Sequence, residues 1–125
     1  MRIALLVEDT ALSTVPLEVA LAAIDGLHTV VVGDGRKAID YLEGENGGEV
    51  CVVLTDLNMP LVDGFELIAH IRTSHRFSKI PVLVLSGSTE NGAAKRSIDL
   101  GANAFFAKPY SPLEVRQKLE DLLRA

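Results

Sequence analysis

Five side chains with complementary chemistry stand directly after the apolar runs of this 125-residue chain. "RIALLV" runs into Glu8-Asp9, "VCVVLT" into Asp56, and "VLVLS" ends on Ser86, ahead of Gly87-Ser88. "AFFA" is followed by Lys108-Pro109. Three carboxylates a few ångströms apart repel one another, by about 1 kcal/mol per pair at 4 Å in water and about 4 at an effective dielectric of 20. Such a cluster needs a cation or a shared proton. Oxygen ligands with no histidine or cysteine beside them suit a hard divalent ion, and Mg²⁺ is the usual one next to a phosphate. A lysine and a hydroxyl near the same point would hold a small tetrahedral anion. Together these groups describe a phosphoryl group seated on a carboxylate, with Asp56 as the nucleophile.

This chemistry requires the apolar runs to be strands that end at one edge. Strands read at 2–7, 28–33, 50–55, 82–86 and 104–107 alternate with amphipathic segments. A helix after Pro16 is capped by Ser13 or Thr14 and continues through "LEVALAAI". Further helices read over 36–44, across "GFELIAHIRTS", over "ENGAAKRSIDLG" with Gly101 at its end, and from Ser111-Pro112 onward; "ENGGE" reads as a loop. Near-continuous Val, Leu and Ile in the strands predict an α/β fold: a parallel sheet covered by helices on both faces, doubly wound. Sites in such sheets lie beyond the carboxyl ends of the strands.

Composition excludes several classes. Net charge is −5, from 17 acidic and 12 basic residues, and no basic cluster exceeds "AAKRS". A phosphate-gripping nucleic-acid binder would carry the opposite balance. Hydrophobic residues make up 48% and mean hydropathy is +0.27, yet no apolar run approaches membrane-spanning length. The N-terminus lacks a signal-peptide cleavage pattern, and the single Cys51 reads as a structural thiol, so the expected address is the cytoplasm. His28, His70 and His75 fall on a strand, a helix and a helix end, with no common site.

The motifs "LLVEDT", "VVLTDLNMPLVDGFELI", "VLVLSGS" and "FFAKPY", and the spacings between Asp56, Ser86 and Lys108, resemble the receiver domains of two-component signalling. The chain is similar in form to the single-domain, CheY-like chemotaxis response regulators. The resemblance runs from Ile3 to Leu123 and implies a single receiver domain over 1–125, flavodoxin-like, with strand order 2-1-3-4-5. It implies Asp56 as the phosphorylation site, Mg²⁺ held by Glu8, Asp9, Asp56 and the Asn58 carbonyl, and Ser86 and Lys108 on the phosphoryl oxygens. Ser86 and Phe105 would be the switch pair, Asn58 and Ser88 would tune dephosphorylation, and the bond before Pro109 would be cis.

The implied donor is a sensor histidine kinase or phosphotransfer protein, docking around Ser13 to Ala23. The implied output is a face spanning about 90–123, open to a downstream protein or a phosphorylation-linked homodimer. Self-catalysed transfer and autodephosphorylation would be its only chemistry. Two other readings compete. One is an unphosphorylated pseudo-receiver acting as a docking module. The other is a haloacid-dehalogenase-like phosphatase, which would want an aspartate where Asn58 stands.

Overall fold

The computed structural model describes residues 2–10, 14–87 and 92–124. Five parallel strands form one sheet in the order β2-β1-β3-β4-β5, where β1 is Arg2–Val7, β2 Leu27–Val32, β3 Val50–Thr55, β4 Val82–Ser86 and β5 Ala104–Ala107. The helices are α1 (Val15–Leu21), α2 (Gly35–Glu43), α3 (Gly64–Thr73), α4 (Ala93–Leu100) and α5 (Pro112–Arg124). No helix among the described residues is long and apolar enough to cross a membrane.

Strand alternation sorts the core into two layers. Ile3, Leu5 and Val7 of β1 face one way, with Val53, Val82 and Val84, onto Leu42, Leu67, Ile68 and Ile71 of α2 and α3. Ala4 and Leu6 face the other way, with Leu54, Leu83 and Leu85, onto Leu17, Leu21, Val115 and Leu119 of α1 and α5. The three inner strands are buried almost throughout, whereas the edge strands β2 and β5 are only part-buried. That is why the inner runs are unbroken apolar sequence.

Sequence expectation and structure part at several places, among them a one-residue shift of α2. Helix α1 stops at Leu21 rather than continuing through Ile24, because Ala23 and Ile24 close tight i→i−3 bonds to Ala20 and Leu21 and steer the chain into β2. Thr14 occupies the cap position without capping; its hydroxyl donates instead to Glu18 Oε2 at 2.7 Å. The "ENGGE" loop contains a short 3₁₀ turn, Gly47–Glu49. Strand β2 begins and ends one residue early. Ser13, the other proposed cap, lies outside the described residues.

The turn from β3 into α3 is held from both ends. Asp63 accepts from the Glu66 amide at 2.9 Å while Glu66 accepts from the Asp63 amide at 3.2 Å, a capping box. Gly64 donates to Leu57 O at 3.0 Å, and a Cβ there would stand 2.3 Å from Asp56 O, so only glycine lets the helix start this close to the strand end.

Leu61, in the same turn, adopts φ 68° and is 79% exposed. A left-handed leucine costs about 1–2 kcal/mol, and its exposed side chain returns little. Leu61→Asn is therefore expected to raise stability by about 0.5–1 kcal/mol. Urea unfolding checks this; a lower midpoint would mean the leucine packs in a way its exposure contradicts.

Candidate functional site

Register brings the acids together. Val7 pairs with Val32 on one side and Thr55 on the other, and the ladder continues one residue past the strands. There Glu8 N donates to Val32 O at 3.0 Å, and Asp56 N to Val7 O at 3.1 Å. Glu8 and Asp56 are thus neighbours on one rim, both buried, with Asp9 exposed beside them. Ligand oxygens of Glu8, Asp9 and Asp56 lie within 4.8 Å of one another, the one such group of potential metal ligands among the described residues. The three histidines take no part; His70 faces Glu43 at 3.4 Å on the surface.

Lys108 reaches this cluster from across the sheet. Ser86 pairs with Ala107, and the Lys108 amide donates to Ser86 O at 2.8 Å, fixing the lysine beside the end of β4. The bond from Lys108 to Pro109 is cis, as the resemblance implied. From there Nζ donates to Glu8 Oε2 at 2.6 Å and to Asp56 Oδ2 at 3.0 Å. Burial opposes the charge on Lys108, but the bonds to Glu8 and then Asp56 outweigh it and hold the ammonium above the ordinary lysine range. Burial pushes the Glu8 carboxyl above its usual value, against the Lys108 hydrogen bond, and the Asp56 charge adds to the rise. One ammonium cannot neutralise two buried carboxylates, so the cluster keeps an excess of negative charge.

Two groups that the sequence did not single out hold Asp56. The amides of Leu57 and Asn58 donate to its Oδ1 at 2.6 and 3.3 Å, fixing the carboxylate in the strand-to-loop turn. Thr10 does the same on the other side, its amide donating to Glu8 Oε1 at 3.3 Å and its hydroxyl to Asp9 Oδ1 at 3.4 Å. Ser86 is fully buried at the end of β4, and Asn58 is exposed at the rim. Phe105, opposite Val84, is half-buried against the α2–α4 layer. Ser88 lies outside the described residues.

The front of the cluster opens into a cleft of about 460 Å³ lined by Asp9, Asn58, Met59, Asp63, Phe65 and Arg96. Neither Phe65 nor Arg96 was legible as part of a site, since each reads as an ordinary position of an amphipathic helix.

The profile of the response regulator receiver domain matches residues 4–120. Among curated proteins, the chain is 36% identical over 92 residues to the probable methanogenesis regulatory protein FilR2 of Methanothrix harundinacea, covering 71% of this chain and 59% of that one. It is 31% identical over 123 residues to the chemotaxis protein CheV2 of Helicobacter pylori, covering 98% of this chain and 39% of that one. It therefore spans less than two thirds of either relative's length. The solved structure of the phosphorylated cyanobacterial phytochrome response regulator RcpA superposes with a TM-score of 0.80 at 32% identity, covering 97% of this chain and 90% of that one. A parallel sheet in this order, with acids and a lysine at one rim, is the framework of a two-component signalling regulator. This chain belongs to the response regulator receiver domain family.

Proposed function

We propose that residues 1–125 act as a single receiver unit that accepts a phosphoryl group on Asp56 from a phosphohistidine of a sensor histidine kinase or phosphotransfer protein. The observation that carries this reading is the shared lysine: Lys108 bridges Glu8 and Asp56 beside Asp9, at the rim of this family's sheet. The phosphorylated state of RcpA, at 32% identity over nearly the whole chain, supports it.

The donor set fits Mg²⁺. Every side-chain ligand is an oxygen, three carboxylates converge, and one ammonium leaves them under-neutralised. Glu8, Asp9, Asp56 and the Asn58 carbonyl are the residues that would hold the ion. When bound, it supplies charge neutralisation for the oxygens of the transferring group.

The chain's own groups do the rest. Amides of Leu57 and Asn58 orient Asp56, so its carboxylate meets the phosphorus already positioned. An Asp56 oxygen forms the new O–P bond with its own electron pair. The P–N bond breaks, and its pair returns to the imidazole, which leaves neutral when its other nitrogen is protonated. Lys108 passes from the carboxylates to a phosphoryl oxygen, where charge is concentrated. Water later attacks phosphorus, the P–O pair returns to Asp56, and inorganic phosphate is released. Asn58 and Ser88 are the positions proposed to set that rate.

Phosphate at Asp56 then biases Ser86 and Phe105 towards the signalling conformer, a population shift expressed on α4, β5 and α5. Ile98 and Leu113 are 45% and 48% exposed on that face, apolar surface suited to a downstream protein or a second copy. On α1, Val15 and Val19 are 50% and 69% exposed, which supports donor docking there. A cytoplasmic setting accords with the lone Cys51, which has no partner for a disulfide within the chain.

Intact mass after incubation with acetyl phosphate and Mg²⁺ tests the reading. A gain of one phosphoryl group, about 80 Da, reversed in time and prevented by EDTA, is expected. A folded protein that gains nothing would favour the docking-module alternative.

A further inference from the structure

Arg96 has no part in the chemistry above, yet it lines the same cleft as Asp9, Asn58 and Asp63. It projects from α4, and its guanidinium carbon lies 3.9 Å from the centroid of the Phe65 ring. Phe65 is 7% exposed and set in the α3 layer of the core, so the ring is a fixed platform. Stacking on a ring face restrains a guanidinium while leaving its charge and its outward N–H groups available. Among the described residues Arg96 makes no ion pair.

The electrostatics of the cleft give this placement a consequence. An incoming phosphoryl donor is an anion, and the cleft at the front of the cluster is lined by Asp9 and Asp63, both of the same sign. Lys108 is bound up with Glu8 and Asp56 behind that entrance. A fixed cation in the wall offsets the repulsion, and does so in proportion to the charge on the donor.

We propose that Arg96, stacked on Phe65, is a specificity-determining residue for the phosphoryl donor, favouring donors of net charge −2 over donors of net charge −1. This rests on Asp56 as the acceptor. The logarithm of the effect scales with donor charge, which separates it from a structural role.

The test compares acetyl phosphate, a dianion at neutral pH, with phosphoramidate, a monoanion, on wild type, Arg96→Ala and Arg96→Lys. With Arg96→Ala the half-saturating acetyl phosphate concentration is expected to rise about threefold at low salt, and that of phosphoramidate less than about twofold, with maximal rates unchanged. Arg96→Lys should recover part of the difference, and about 0.5 M salt should erase most of it. Arg96 is exposed, so these variants should keep the wild-type circular dichroism and urea midpoint. Equal shifts for both donors, no shift for either, or a change confined to the maximal rate would overturn the proposal. Failure of wild type to be labelled by either donor would overturn the acceptor assignment itself, and this inference with it.

Discussion

Asp56→Asn is expected to cut phosphoryl transfer to below about a thousandth of the wild-type rate, with the fold retained. An amide has no charged oxygen to attack phosphorus, and a neutral side chain gives a divalent ion one ligand fewer. The geometry should survive, because the substituted side chain has the same shape and its oxygen can still accept from the Leu57 and Asn58 amides. Removing one of three converging carboxylates also relieves repulsion, so stability towards urea should hold or rise slightly. Mass-detected labelling by acetyl phosphate, alongside a urea melt, separates the two effects. Labelling of the variant at the wild-type rate would move the acceptor elsewhere in the chain.

Lys108→Ala is expected to act in two opposite directions. Its ammonium is the one cation in contact with the acid cluster among the described residues. Loss of a donor aimed at developing charge slows such transfers by about 100-fold, and the rate of labelling should fall by that order. The same ammonium competes for the carboxylates that would hold Mg²⁺. Its removal should therefore tighten Mg²⁺ binding, by about five- to tenfold, read by calorimetry without any phosphodonor. A variant that lost both metal binding and labelling would instead assign Lys108 a structural role in holding the rim together.

Much of this was legible in the chain. The runs "RIALLV", "VCVVLT", "VLVLS" and "AFFA" coincide with β1, β3, β4 and β5 residue for residue. The inner ones stand out because burial on both faces demands uninterrupted apolar sequence. Edge strand β2 is only part-buried, so burial marks its ends less sharply, and they lie one residue from the sequence reading. The end of α1 was illegible because Ala22, Ala23 and Ile24 keep a helical pattern; what stops the helix is the need to deliver Leu27 into the sheet, a tertiary demand. Spacing alone also could not order the strands, and the order 2-1-3-4-5 came with the family resemblance.

At the site, the groups were visible one by one and their arrangement was not. Glu8 and Lys108 stand 100 residues apart, and only the pairing of β1 with β3, β3 with β4 and β4 with β5 joins them. The amides that orient Asp56 carry no side-chain signature. In the sequence Arg96 reads only as part of the densest basic spot, since nothing in its spacing ties it to Phe65. The signal that could have raised it is local: a basic residue on a helix that must pack beside the acidic rim.

The most direct test of the account is chemical trapping of the acceptor. Acetyl phosphate-treated protein, reduced with borohydride, converts an acyl phosphate to an alcohol, and peptide sequencing by mass spectrometry locates the residue. The account predicts homoserine at position 56 and at no other aspartate, in a yield that matches the phosphorylated fraction. Phosphorylated protein with an intact Asp56, or homoserine at Asp9 instead, would contradict it.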